Sequence, residues 1–250
     1  MPQAWDGRSA ALAAAFLVCA VLALAVRSVN VVIKTHSGRR APPRRDSSDE
    51  ATLAVFLGSG GHTAEMMRLT AHLDWNRFTR RTWIISSGDS LSESKALALE
   101  KSIGSGEFRL LKIPRARRVH QSYLTSPFTT LYSLAFCLWH ISLAPLLALN
   151  RERKPVFADL VLLNGPGSCV PIACATFLPR IVGLPSASLV YIESLARTRR
   201  LSLSAQLVRP LVDRFFVQWD SLRDELVKAE ARKGERPRWK AKVECQGWLV

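Results

Sequence analysis

The apolar positions fall into three patterns, and each predicts a different kind of element. Residues 10–26 form a run of 17 positions without charge, proline or glycine, prolonged by Val29, Val31, Val32 and Ile33. A helix needs about 20 apolar residues to cross hydrocarbon, and Arg27 has a stem long enough to reach the headgroups. The run reads as a membrane anchor over residues 10–33, preceded by a short N-terminus at 1–9. A cleaved secretory signal is the rival, because Ala23-Leu24-Ala25 resembles a small-residue cleavage site.

From residue 51 onward, short continuous apolar runs alternate with stretches of helical spacing. The pattern predicts strands at 52–57, 81–86, 108–113, 159–163, 188–192 and 214–218, and helices at 63–73, 90–103, 170–178, 201–211 and 221–233. Ser90 and Glu93 stand at capping-box spacing for the second of these helices. Strands that are apolar on both faces need helices on both sides, which is the arrangement of a parallel sheet. The expected fold is α/β: a single doubly wound Rossmann-like domain over residues 51–243, with an N-terminal transmembrane helix.

The third pattern is residues 119–150, which contain no Lys, Arg, Asp or Glu. Apolar residues surround this helix on all sides and Pro145 interrupts it near its end. It fits either a core crossover helix or a helix in the membrane interface. The aromatic residues Phe128, Tyr132, Phe136 and Trp139, close to the basic loop Arg115-Ala116-Arg117-Arg118, favour an interfacial position for residues 127–149. A second full span would put the two halves of the sheet on opposite sides of the bilayer.

Charge adds an orientation. The chain carries a formal net charge of +15, and the basic excess persists when residues 1–50 are set aside. Arg27, Lys34, Arg39, Arg40, Arg44 and Arg45 follow the apolar run at 10–26 before the next acidic residue, Asp46, whereas Arg8 faces Asp6 on the other side. Basic residues next to a span stay cytoplasmic, so the domain is expected in the cytosol. Residues 34–50, rich in proline and charge, read as a linker. A basic chain with an anchor suits anionic lipid or a phosphorylated substrate better than nucleic acid, and no stripe of aromatic and basic residues lies on the predicted strands. The cysteines Cys19, Cys137, Cys169, Cys174 and Cys245 form no CxxC pair, so neither a disulfide framework nor a metal site is suggested.

The candidate chemistry lies in two strand-turn-helix junctions. Gly58, Ser59, Gly60 and Gly61 follow the first strand and open a helix, where glycine lets backbone N–H groups approach an anion. The stretch "GSGGHT" matches neither the dinucleotide fingerprint nor the P-loop. Asn164-Gly165-Pro166-Gly167-Ser168 repeats the device after the fourth strand. In a doubly wound sheet both turns reach the carboxyl edge, where such folds bind ligands, and two facing turns suit a diphosphate. His62, at the end of the first turn, fits a general base or a structural role. Glu193 fits an orienting partner or a ligand for a sugar hydroxyl, or a plain surface carboxylate. Arg197, Arg199 and Arg200 add a basic patch beside it.

The motifs "FLGSGGHTAEM", "NGPGSCVPI" and "YIESLARTRRLSLSAQLVRPLVDRFFVQW", with the single N-terminal anchor, resemble the membrane-anchoring subunits of the eukaryotic UDP-N-acetylglucosamine transferase. That enzyme adds the second sugar to the dolichol-linked oligosaccharide. The resemblance covers residues 53–250 and implies the N-terminal half of a GT-B glycosyltransferase. The donor-binding half is then expected on a separate soluble catalytic subunit, recruited to the cytosolic face of the endoplasmic reticulum. The implied reaction moves GlcNAc from UDP-GlcNAc to GlcNAc-diphosphate-dolichol with inversion, without a cofactor or a required metal, and this chain is not expected to act alone. Carried over by position, Gly58, Ser59, Gly60, Gly61, Thr63, Gly165, Gly167 and Ser168 would bind the acceptor diphosphate, and His62 and Glu193 would be catalytic. Trp248, Leu249 and Val250, in the tail at 244–250, would dock on the partner. A membrane scaffold without a part in the active site, or a self-sufficient lipid-sugar transferase, are the alternatives.

Overall fold

The computed structural model describes residues 7–37, 50–117, 121–122, 124–148, 156–232 and 239–247, with side chains from residue 10 onward. Trp248, Leu249 and Val250 lie outside the described residues, as do most of the linker and positions 119–120, 123 and 149–150 of the apolar stretch.

Among the described residues the domain is built on a sheet of seven parallel strands in the order β3-β2-β1-β4-β5-β6-β7. The strands are β1 (Thr52–Leu57), β2 (Arg80–Ser86), β3 (Glu107–Ile113), β4 (Leu160–Asn164), β5 (Ser188–Ile192), β6 (Arg214–Val217) and β7 (Val243–Cys245). The run at residues 52–57 is apolar without alternation because both of its faces are covered. Ala54 and Phe56 enter one core layer, with Val161, Leu163, Tyr191 and Phe215. Leu53, Val55 and Leu57 enter the other, with Trp83 and Ile85. Helices α2 (Gly61–Thr70) and α3 (Ser90–Ile103) supply Met66 and Ala96 to the second layer. Helices α6 (Cys169–Ile181), α7 (Leu203–Val208) and α8 (Asp220–Ala231) cover the first. The α/β doubly wound expectation is met.

β1 pairs with both β2 and β4. The chain winds outward from β1 in one direction, then returns to start again beside it, and the loops after β1 and β4 diverge there. That is the point where open α/β sheets hold ligands.

Three local expectations change. Asp89, not Ser90, caps α3: its carboxylate accepts from the Ser92 amide at 3.1 Å and the Ser92 hydroxyl at 2.6 Å. Glu93 instead reaches Lys112 on β3 at 2.8 Å. Helix α7 is shorter than its apolar pattern, because Ser202 caps it by accepting from the Ala205 amide at 3.1 Å and Pro210 follows its end. Glu244 and Cys245, placed in the tail by sequence, belong to β7 at the sheet edge.

Helix α1 (Gly7–His36) has the length and composition to cross a membrane, and its apolar side chains from Leu12 to Val26 are exposed. Its last turns rest on the domain, where Arg27 donates to the Ile181 carbonyl and His36 Nε2 donates to the Pro210 carbonyl at 2.9 Å. The β3-to-β4 crossover runs through α4 (Ser126–Cys137), a π-helical turn at Leu138–Leu143 and α5 (Ala144–Leu147). One side of it is pinned to the domain: Ser133 donates to the Pro114 carbonyl at 2.7 Å and Ser142 to the Ala175 carbonyl at 2.5 Å. Phe128, Leu131, Tyr132, Trp139, Leu143 and Leu147 face outward and are exposed.

Candidate functional site

The turns after β1 and β4 meet at the carboxyl edge, and contact between them explains two of the glycines. A Cβ on Gly58 would lie 2.5 Å from Pro166 Cδ and 3.0 Å from the Asn164 carbonyl oxygen. A Cβ on Gly165, whose φ is 109°, would lie 2.5 Å from Cγ of the His62 ring. Ser59 also holds a left-handed φ of 68°, at a cost of about 1–2 kcal/mol for a side-chain-bearing residue. The strain turns the chain sharply enough for α2 to start over the crevice.

Gly60 caps α2 without a side chain accepting from the first-turn amides, and Gly60 and Gly61 are exposed. The N–H groups that begin α2 thus point outward under about half a unit of positive helix charge. Ser168 precedes α6 but does not cap it; its hydroxyl accepts from the Ala116 amide at 3.3 Å, which ties the β3 exit loop to the second turn. Gly167 is exposed beside it. Thr63 is fully buried, and its hydroxyl bonds the Ser92 hydroxyl at 2.6 Å. Its side chain joins α2 to α3 and leaves only its backbone on the crevice side.

His62 is half-buried above Gly165, and its Nδ1 lies 2.9 Å from Asn164 Oδ1. Asn164 Nδ2 donates to Glu65 Oε2 at 2.9 Å, and the Ser194 hydroxyl donates to Glu65 Oε1 at 2.8 Å. The structure therefore brings His62 together with Asn164 and Glu65, not with Glu193. Glu193 is buried, and its carboxylate accepts from the Ser194 amide at 3.1 Å, the Ser202 amide at 3.0 Å and the Ser202 hydroxyl at 3.1 Å. It closes the loop between β5 and α7 that displays Arg197, Arg199 and Arg200 on the surface. Sequence reasoning passed over Glu65 and quoted Asn164 only as part of a turn. The spacing of His62 and Glu65, three apart on one helix, puts them on the same face and was the available signal.

The other ionisable groups beneath the turns stay neutral. Burial pushes the Cys169 thiol well above its ordinary value, reinforced by the Glu193 carboxylate. Burial likewise raises Tyr191, with Cys169 and Glu193 adding to it, and its hydroxyl donates to the Gly165 carbonyl at 3.2 Å. Neither is a nucleophile at physiological pH; Tyr191 steadies the second turn. Among the described residues no cluster of His, Cys, Asp and Glu could hold a metal ion. The small cavity lined by Ile141, Ser142, Thr176 and Ala187, about 10 Å³, sits under the crossover at the opposite end of the sheet.

The fold defines a Rossmann-like α/β domain, with two glycine turns meeting at its switch point, carried on a helix of membrane-spanning length. The family described as "Oligosaccharide biosynthesis protein Alg14 like" matches residues 53–234. The chain belongs to that family. It is 39% identical over 222 residues to a Candida albicans protein named UDP-N-acetylglucosamine transferase subunit ALG14, covering 89% of this chain and 95% of that one. A Schizosaccharomyces pombe protein of the same name is 43% identical over 178 residues, or 71% of this chain and 80% of its own length. The Rattus norvegicus protein of that name is 40% identical over 184 residues, 71% and 79% respectively. A solved structure described as LpCGTa in complex with UDP overlays 80% of this chain and 53% of its own at a TM-score of 0.43 and 15% identity, too loosely to bear on the site.

Proposed function

We propose that this chain is the membrane-anchoring, acceptor-side subunit of a heteromeric UDP-GlcNAc transferase. It recruits a soluble catalytic subunit to the cytosolic face of the endoplasmic reticulum and helps transfer GlcNAc to GlcNAc-diphosphate-dolichol, the second step of lipid-linked oligosaccharide synthesis for protein N-glycosylation. The observation that carries this reading is the meeting of two glycine turns, an uncapped helix start and His62 at one switch point. The names of the family relatives support the transferase and the word subunit in them supports a complex.

In this reading the acceptor diphosphate lies against the backbone of Gly58 to Gly61 and the turn at Gly165 to Ser168. The exposed arginines of the β5–α7 loop add positive potential at the same edge. His62 Nε2 takes the proton of the acceptor's sugar hydroxyl as that oxygen bonds to the donor's anomeric carbon. The bond from that carbon to UDP breaks on the far side, and UDP leaves with the electron pair, which inverts the centre. The glutamate at 193 acts by shaping the arginine loop.

The anchor's basic flank supports a cytosolic domain. The apolar outer face of α4 and α5, with Arg115 and Arg117 ahead of it, supports a position at the bilayer surface, where the lipid acceptor resides. Trp248, Leu249 and Val250, which follow β7 in sequence, remain our candidate for partner docking.

The test is GlcNAc transfer from UDP-GlcNAc to a short-chain GlcNAc-diphosphate lipid by this chain, by the soluble subunit, and by both. Transfer only in the mixture is the expected result. Transfer by this chain alone would overturn the half-enzyme reading, and a mixture indifferent to His62→Ala would reduce the chain to a scaffold.

A further inference from the structure

We infer that Asn164 and Glu65 are positioning residues that hold His62 in one tautomer, with Nδ1 protonated and Nε2 free to act as the base. The inference deepens the proposed function and rests on it for its catalytic part, but its structural part stands alone.

The polarity of the network makes the assignment. A carboxylate accepts hydrogen bonds and cannot donate them. The atom of Asn164 that lies 2.9 Å from Glu65 Oε2 must therefore be the amide nitrogen. That leaves the amide oxygen facing His62 Nδ1 at 2.9 Å, and an oxygen there can only accept. His62 Nδ1 carries the hydrogen, so in the neutral ring the lone pair is on Nε2. The amide of Asn164 is assigned by this network, and the reversed amide would set oxygen against carboxylate and NH2 against the ring.

The parts of the network are fixed independently. Asn164 is fully buried as the last residue of β4. Glu65 is held from its other side by the hydroxyl of Ser194, itself 5% exposed. Gly165 gives the ring its seat, since the His62 ring fills the space of its missing side chain. A network that merely stitched the ends of β1, β4 and β5 together would need no direction. This one runs from ring N–H through an amide to a carboxylate.

The direction has a consequence during transfer. When Nε2 takes the acceptor's proton the ring becomes an imidazolium, and the Asn164 oxygen already faces its Nδ1–H. The amide passes that interaction on to the Glu65 charge without moving a proton, because an amide is not an acid or base in this range. The carboxylate thus stabilises charge that develops only as the new glycosidic bond forms, which is where a preorganised group accelerates a reaction.

The experiment uses full-length chain with selectively 15N-labelled histidine, reconstituted in lipid nanodiscs, with and without the soluble subunit. At about pH 8, above the ordinary imidazole range near 6.5, 15N spectra distinguish a protonated Nδ1 from a protonated Nε2, and His62→Gln identifies the His62 signals. The wild type is expected to show Nδ1–H, and Asn164→Ala and Glu65→Ala a mixture or the other tautomer. In the transfer assay Glu65→Ala is expected to lower kcat at least about ten-fold with acceptor KM within about two-fold.

Glu65→Gln is the variant that keeps the shape: its oxygen accepts from Asn164 and its nitrogen donates to Ser194. It should retain the Nδ1–H signal and lose part of kcat, which separates charge from stitching even if Glu65→Ala misfolds. An Nε2–H signal in the wild type, or kcat unchanged in both Glu65 variants, would overturn the inference. An Nδ1–H signal together with a wild-type complex that transfers no GlcNAc would instead overturn the proposed function and leave the tautomer assignment intact.

Discussion

Gly165 and Gly61 are both glycines of a turn motif, but they are required for different reasons. At Gly165 an added methyl collides with the His62 ring at 2.5 Å and the backbone is already left-handed, so Gly165→Ala must displace the imidazole or unwind the turn. At Gly61 nothing lies within 4 Å of an added Cβ and the backbone is not left-handed. Gly61→Ala should keep the fold and add up to about 1 kcal/mol of helix propensity. In the reconstituted complex we expect Gly165→Ala to cost at least about 100-fold in transfer, the scale of a lost general base. Gly61→Ala should raise the thermal midpoint slightly yet raise the acceptor KM, because in the function proposed above its methyl would stand where the diphosphate approaches the helix amides. An unchanged KM would place the diphosphate elsewhere. Sequence picked out the glycines and His62 because they break an apolar pattern. It missed Asn164 as a partner of His62 because a hydrogen bond between residues 102 positions apart, like the one of Asn164 to Glu65 across 99, leaves no local periodicity. Thr63 belongs to the motif in sequence, but its hydroxyl bonds Ser92 and joins α2 to α3.

Elements were legible where one physical demand dominated. Strands buried on both faces must be apolar throughout, so β1 and β5 were bounded at the residues where the structure has them. β7 was invisible because three edge residues, Val243 to Cys245, carry no such run. The crossover helix was legible as apolar but not as two-sided. Pro145 lacks an N–H and its ring crowds the carbonyl four residues earlier, at Ile141, which widens the helix into the π turn at Leu138–Leu143. The wider turn lets Ile141 and Ser142 both face inward while Trp139 and Leu143 face out. Our reading of that outer face as interfacial predicts a depth signal. In nanodiscs with bromine-labelled lipid, Trp139→Phe should remove a distinct part of the tryptophan quenching shown by the wild type. If the variant and the wild type are quenched equally, Trp139 stands in water and α4 is an exposed crossover whose apolar side belongs to something other than lipid.

For the whole molecule, the anchor and the domain are joined by contacts as well as by the linker. Arg27 reaches the carboxyl end of α6 and His36 the segment between α7 and β6, so the end of α1 is set against the first core layer's helices. Such docking constrains where the domain can sit relative to the bilayer, but it does not choose a side. The choice falls to charge: six basic residues from Arg27 to Arg45 precede the first acidic one, whereas the short N-terminal segment holds one arginine and one aspartate. Only the basic residues near a span count strongly in this balance. Replacing Arg39, Arg40, Arg44 and Arg45 with neutral residues and adding four arginines before residue 10 reverses it without touching Arg27, His36 or any residue of the crevice. With glycosylation tags at both termini, the natural chain should be modified only at its N-terminus in microsomes, and the recharged chain in part at its C-terminus. The recharged molecules would carry an intact domain on the lumenal side, away from a cytosolic partner, and the transfer activity of the membranes should fall in proportion to the inverted fraction. A natural chain glycosylated at its C-terminus would refute the cytosolic assignment and, with it, recruitment of a cytosolic subunit.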